Sequence, residues 1–491
     1  MEIEVRGDPS DPETTRKTAY TRDDFGNLTL VKAGDELGNY RSACVTYEPE
    51  GIFPYAYSRL FGQVSRVAFD AGLGVPTAVK DENGLETIWQ HDAFGRTTRE
   101  KTPDGVVTEF GVQRLKNGGP QQLWWALRPY TKVAGLPRAG AELDSLGRTV
   151  SSWVRGPDVK AVNGPNSVLN PIYTEDITYD YYGRVSRRSK PWMVGDPQLF
   201  TEYEHDNLGR VTSVKTPWDY ETTYDYSGHT VVARFPAAGS MLATSSTTTV
   251  DPLGRTIEVI DGRQGVTTTT YGPFGAPRAV ETPGGLFVTL RDAYGRVRTE
   301  VDPDRGTTTI DYDGFDEETR FFDAAHREVG YAYDGIGRRV ARLDDGVVTT
   351  RWNYDDPTKG YGRLADVTNP GGASKSYTYD LKGRVSSVAL LLGGETFTSV
   401  YQYDASSNVS TVEYPQGPGG APFRIKNEYD LYDNLVGVRD DIDANHPYYW
   451  RLDRINGAGQ TSREVFGNID IDVDQSHALF TERDYAADKG R

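Results

Sequence analysis

Tyr333-Asp334-Gly335-Ile336-Gly337-Arg338 decides how this chain is read, because its pattern, Tyr-Asp-x-x-Gly-Arg, returns along most of the sequence. Full copies are Tyr179-Asp180-Tyr181-Tyr182-Gly183-Arg184 and Tyr379-Asp380-Leu381-Lys382-Gly383-Arg384. Copies that change the first residue start at His91, Leu143, His205, Val250 and Arg291. They supply Asp92, Gly95 and Arg96; Asp144, Gly147 and Arg148; Asp206, Gly209 and Arg210; Asp251, Gly254 and Arg255; and Asp292, Gly295 and Arg296. Looser copies start at Tyr224, Tyr271, Tyr312, Tyr403 and Tyr429. A repeat of this kind fixes an architecture before any single residue suggests a site.

The unit reads as a tight hairpin turn. Its Asp can accept hydrogen bonds from backbone N–H groups about two residues on. Its Gly supplies the positive φ that ends a type I turn with a G1 bulge. Asp316 and Asp433 take the Gly place in two looser copies, and Asp tolerates that conformation better than most residues. The Arg opens the returning strand and is expected to bridge carboxylates or carbonyls of neighbouring hairpins. Tyr331 and Tyr333, Tyr377 and Tyr379, and Tyr401 and Tyr403 are pairs two residues apart. Such pairs share a strand face, which predicts a column of stacked aromatics.

From Asp251 to Asp355 the turns recur every 20 to 21 residues, and beyond that every 24 to 26. A second turn falls half-way, as in Asp302-Pro303-Asp304-Arg305-Gly306, Asp344-Asp345-Gly346 and Asn369-Pro370-Gly371-Gly372. Between them run strands rich in Val and Thr, such as Val266-Thr267-Thr268-Thr269-Thr270-Tyr271. One repeat is therefore two strands and two turns. The expected fold is all-β: repeated antiparallel hairpins forming one long, spiralling sheet across residues 1–491. Within it, 1–109 hold irregular early repeats, 110–172 a divergent, loop-rich insertion, and 173–491 regular repeats cut in mid-pattern. Two-stranded units cannot bury a face alone, so they must stack. Their open edges call for cover by neighbouring regions or by the sheet's own windings.

Composition narrows the function. With a formal net charge of −17, nucleic acid is not an expected partner, because phosphate binding needs a basic surface. Hydrophobic residues make up only 37% of the chain, yet 31 Tyr and many β-branched residues argue against disorder. Cys44 is the single cysteine, so no intrachain disulfide can form. No apolar run is long enough for a membrane-spanning helix. Met1-Glu2-Ile3-Glu4-Val5 lacks the basic start and apolar core of a signal peptide, so the chain is read as starting either as a cytosolic product or inside a longer polypeptide, the second being preferred.

No catalytic set emerges. His91 and His205 fill the repeat's Tyr slot and His229 its Arg slot, while His326, His446 and His477 show no ligand spacing. Asp470-Ile471-Asp472-Val473-Asp474 opens like a calcium loop, but Gln475 and Thr481 stand where Gly and Glu are needed. Nucleophile elbow, Walker loop and dinucleotide fingerprint are missing. The expectation is a protein without enzymatic activity, cofactor or metal. Trp124 and Trp125, in the divergent stretch, are the candidates for a glycan-binding platform.

The repeats resemble the YD repeats of RHS proteins, which occur in bacterial polymorphic toxins, in the B and C components of Tc toxin complexes, and in animal teneurins. The tail is similar to a run in SpvB-like and Tc B-type members: Tyr448-Tyr449-Trp450-Arg451, Asn456-Gly457-Ala458-Gly459-Gln460 and Glu464-Val465-Phe466-Gly467-Asn468. This resemblance implies a sheet that spirals into a hollow shell around a toxin or effector segment. It implies partners in other RHS-shell regions and in the enclosed segment, and a secreted or extracellular location as part of a longer protein. The autocleaving RHS core is not found; Asp251-Pro252-Leu253-Gly254 is a repeat turn. A teneurin-like alternative, adhesion through cell-surface glycans, stays open.

Overall fold

The computed structural model describes residues 2–6, 15–35, 40–59, 63–116, 125–133, 136–157, 160–161, 171–237, 242–358, 360–416, 420, 423–430, 433–443, 445, 447–456, 458–467 and 479–483. Among these residues the regular structure is β-strand throughout, with no helix. The strands are rich in Thr, Val and Tyr, side chains that fit a pleated, half-buried surface.

Successive strands pair antiparallel as hairpins. Glu328–Tyr333 runs against Arg339–Asp344 with Ala332 opposite Ala341, then slips so that Tyr333 faces Arg339. Similar slips occur at Tyr179, Val250, Arg291, Tyr312, Tyr379, Tyr403 and Tyr429. Each adds one residue on the returning strand beside a turn, as a β-bulge does. The stretch 110–172 continues the ladder with long strands, Val107–Lys116, Trp125–Val133, Leu136–Leu143 and Thr149–Arg155.

The looser copy read from Tyr224 is out of step. Strand Glu221–Ser227 runs straight through Asp225, and Gly228, at φ 56°, stands at the bend. Tyr226 therefore takes the Tyr slot, and His229 is a turn residue whose carbonyl accepts from the Val250 N–H at 2.9 Å. Tyr224 and Tyr226 point to the same face, so alternation alone could not choose between them.

The chain divides into two compact units. The first comprises residues 1–88, 227–230 and 246–398; the second comprises 89–226, 231–245 and 399–491. Each brings an early stretch of sequence against a late one. In the first, Arg41 forms a two-pronged ion pair with Glu317, both bonds 2.7 Å. Asn83 there hydrogen-bonds the Tyr361 backbone in both directions, at 2.7 and 3.0 Å. In the second, Lys160–Ala161 pairs parallel with Arg454–Ile455. Ile172, Met193, Leu452 and Ile455 form a buried cluster in that unit, with Trp450 packed against it. Most other side chains are only half-buried, which fits the low hydrophobic content.

Candidate functional site

The turns are where the repeat's distinctive residues meet. In each Asp-x-x-Gly-Arg turn one Asp oxygen accepts the N–H groups two and four residues on, at 2.9–3.1 Å. The Gly N–H donates to the Asp carbonyl, and the Asp N–H to the Arg carbonyl. Gly95, Gly147, Gly183, Gly209, Gly254, Gly295, Gly337 and Gly383 all lie at φ between 77° and 91°. Asp316 and Asp433 occupy the same region at 70° and 59°, and Ser407 at 66°.

The arginines differ from expectation. Their first partner is the Asp of their own turn. Arg96, Arg148, Arg184, Arg210, Arg255, Arg296, Arg338 and Arg384 reach Asp92, Asp144, Asp180, Asp206, Asp251, Asp292, Asp334 and Asp380 at 2.6–2.7 Å. The reason is local: Asp and Arg flank the same bulge, so the second carboxylate oxygen lies within reach of the guanidinium. Several arginines then use a remaining N–H on the next hairpin. Arg184 donates to the Asp206 carbonyl at 2.8 Å, Arg296 to the Asp313 carbonyl at 2.9 Å, and Arg338 to the Asp355 carboxylate at 2.5 Å.

The tyrosines complete the link, and not by stacking on one another. Six of the rings lie under the guanidinium of the preceding turn. Arg148 covers Tyr179 at 4.2 Å, Arg210 covers Tyr226 at 4.3 Å, and Arg255 covers Tyr271 at 4.4 Å. Arg296 covers Tyr312 at 4.7 Å, Arg338 covers Tyr354 at 4.5 Å, and Arg363 covers Tyr379 at 5.2 Å. A cation over a ring face is attracted by the ring quadrupole, whereas two rings attract only when offset or edge-to-face. The hydroxyls of Tyr226, Tyr271, Tyr333 and Tyr379 donate to the carbonyl 15 residues earlier, at Val211, Thr256, Glu318 and Leu364. Tyr179 does the same to Thr149 at 2.8 Å. The result is a ladder: Asp holds Arg, and Arg and the strand behind it hold the next Tyr.

The charges respond accordingly. Burial raises the Asp334 carboxyl, but the Arg338 N–H and guanidinium outweigh it and leave Asp334 below the ordinary carboxylate range. At Asp92 the Arg96 guanidinium is the main cause of a lowered value. Burial raises the phenols of Tyr333 and Tyr379.

Glu317 breaks the pattern, since it stands where a turn Arg belongs. Arg41 fills the vacancy from 276 residues away: it pairs with Glu317, lies 4.0 Å over Phe315, and donates to the Asp334 carbonyl at 3.3 Å. Sequence reasoning missed Arg41, Asn83, Tyr226 and Arg363. A Glu in an Arg slot was a readable sign that a cation must come from elsewhere, though not from where.

In the second unit a cavity of about 630 Å³ is lined by Phe110, Val112, Trp153 and Val154, with Asp92 and Arg96 among its lining residues. That ion pair is the one of a repeat turn, already satisfied by its own partners. Among the described residues no group of three or more His, Cys, Asp or Glu side chains could hold a metal ion. Trp124, His446, His477 and Asp470 to Asp474 lie outside the described residues; Trp125 begins the strand Trp125–Val133.

A strip of hairpins cross-linked from turn to turn defines a repeat protein of the β class. Residues 72–107 match the RHS Repeat family. The crystal structure of TcdB2-TccC3 matches with a TM-score of 0.72 at 13% identity, over 95% of this chain and 28% of that one. TcdB2-TccC3-TEV matches with a TM-score of 0.56 at 12% identity, over 90% of this chain and 33% of that one. The chain thus spans about a third or less of the structures it matches. No curated protein gives a significant sequence match. The chain carries an RHS repeat at residues 72–107, and it shares the fold of TcdB2-TccC3.

Proposed function

We propose that this chain is a wall segment of an RHS shell that encloses and shields a toxin or effector polypeptide before delivery. In this reading it is secreted as part of a larger protein and acts as structure, not as a catalyst. The observation that carries it is the ladder. At six joints an Arg of one turn lies over the Tyr of the next hairpin, so the sheet's faces need contribute little to holding the strip together. A wall whose joints lie in its turns can enclose a cargo whatever that cargo's chemistry.

The test is protease protection in the full-length protein that contains this chain. A non-shell segment should survive a broad-specificity protease until the ladder is broken by acid or denaturant, and then be digested. Digestion of that segment at the same rate with the strip intact would end the container reading.

A further inference from the structure

Asn83 is the third residue of the half-way turn at 81–85, and Gly84 follows it. One Asp81 carboxylate oxygen accepts the Asn83 and Leu85 N–H groups at 2.9 and 2.8 Å, and the Gly84 N–H donates to the Asp81 carbonyl at 3.0 Å. This is the hydrogen-bond pattern of the Asp-x-x-Gly-Arg turns. The Asn83 side chain leaves its own turn and meets a distant backbone. Its Nδ2 donates to the Tyr361 carbonyl at 3.0 Å, and its Oδ1 accepts the Tyr361 N–H at 2.7 Å. The contact needs a donor and an acceptor on one planar group, which an amide has and a carboxylate has not.

Asn followed by Gly also carries a reaction of its own. Asn is a thermolabile residue, and Gly has no Cβ to obstruct its backbone nitrogen. The Gly84 nitrogen gives its proton to water and attacks Asn83 Cγ; the Cγ–Nδ2 bond breaks, ammonia leaves, and a cyclic imide closes. Water then adds at one of the two imide carbonyls and opens the ring to aspartate or isoaspartate. In the fold both reacting groups are held: the Gly84 N–H by the Asp81 carbonyl, the Asn83 amide by Tyr361. The reaction therefore waits for the contact to open, and its rate follows the fraction of time the contact is open. The product does not fit the contact. An oxygen in the place of Nδ2 would face the Tyr361 carbonyl oxygen, two acceptors with no proton between them. It would also bring a negative charge beside Asp81 and Glu82, and Glu82 Oε1 already lies 2.9 Å from where a Cβ on Gly362 would be. Asn456, also followed by Gly, differs. Its Oδ1 accepts the Ala458 and Gln460 N–H groups, both at 3.0 Å, as Asp does in the other turns, so aspartate there keeps both bonds. Asn117 and Asn163, also followed by Gly, lie outside the described residues.

We propose that Asn83 is a modification site: its contact with Tyr361 protects it from spontaneous deamidation, and deamidation, once the contact has opened, keeps it from closing again. Opening is thereby made irreversible at one turn by the chain's own chemistry, with water as the only other reactant. The inference rests on this contact and not on enclosure of a cargo.

Peptide mass mapping of the full 491-residue chain, incubated at mildly alkaline pH with and without urea, tests the protection. Deamidation at Asn83 should be at least about tenfold slower in the folded chain. Gly360→Ala sets a methyl group 2.6 Å from Asn83 Oδ1, at a position whose φ is 101°. It should free the amide and bring the folded rate at Asn83 toward the urea rate, while the rate at Asn456 stays as in wild type and the far-UV spectrum is unchanged. Equal rates with and without urea, a Gly360→Ala rate no faster than wild type, or an equal rise at Asn456 overturns the protection. Asn83→Asp, the product made directly, tests the release. Hydrogen exchange at the Tyr361 amide should quicken in this variant, whereas Asn456→Asp should leave the Ala458 and Gln460 amides as they are. Unchanged exchange at Tyr361 in Asn83→Asp overturns the release.

Discussion

Gly147 and Gly337 occupy the same turn position, yet their surroundings differ. Both have positive φ, 78° and 91°. A Cβ on Gly147 would meet nothing within 4 Å, whereas one on Gly337 would lie 2.6 Å from the Glu317 carboxylate and 3.1 Å from Arg41. Gly147→Ala should therefore cost only the backbone penalty, about 1–2 kcal/mol. Gly337→Ala should cost more, because it also pushes on the Arg41–Glu317 pair. Urea unfolding midpoints of the two variants check this, and equal losses would mean that the pair gives way freely. The Tyr slot can be probed as finely. Tyr333→Phe keeps the ring and removes the hydroxyl that donates to Glu318 at 2.8 Å. It should destabilise by about 1 kcal/mol, measured in the same way.

At the scale of the strand and its turn, much was legible. Asp and Gly are the residues that a tight turn with a positive-φ position demands, so their recurrence gave the hairpins and their order. The bulge followed from the same chemistry. What was not legible is contact between repeats. Nothing in Tyr333 or Arg338 says that a guanidinium, and not another ring, will cover the next phenol, because spacing places both on the same side of the strip. The register at Tyr224 and Tyr226 failed because two tyrosines offered the same face. Arg41 was invisible because long-range pairing leaves no local pattern, although Glu317 marked its socket. That pair also supplies a prediction for the element. Its side chains are 23% and 12% exposed, so removing one partner leaves the other half-buried and unpaired. Arg41→Met should cost about 2 kcal/mol, because it leaves the Glu317 carboxylate half-buried and unpaired, and Glu317→Gln should cost less, because burial already raises that carboxyl. The double variant should cost less than the sum of the two. Strict additivity in a double-mutant cycle would show that the two groups do not interact.

Across the whole molecule the ladder makes stability depend on acid in a direction that can be worked out. The Arg96 guanidinium lowers Asp92, the Arg255 N–H lowers Asp251, and the Arg327 N–H and guanidinium lower Asp323. Asp144, Asp180, Asp206, Asp334 and Asp380 are lowered as well: burial raises them, but hydrogen bonds to the turn Arg outweigh it. A carboxyl lowered on folding binds its proton more weakly in the folded state than in the unfolded chain. Its contribution is therefore complete above the unfolded value near ~3.9 and is lost as pH falls through the lower folded value. Glu317 opposes this, since burial raises it and protonation relieves that cost. One Glu stands against many Asp, and the Asp groups prevail. The melting temperature should be nearly level from about pH 7 to pH 5 and fall steeply below about pH 4, as one turn after another loses the carboxylate that holds its Arg. Replacing the turn Asp with Asn at Asp144, Asp180 and Asp206 should lower the plateau and flatten the acid limb together. A variant with a lower plateau and an unchanged acid limb would show that the acid sensitivity arises outside the turns.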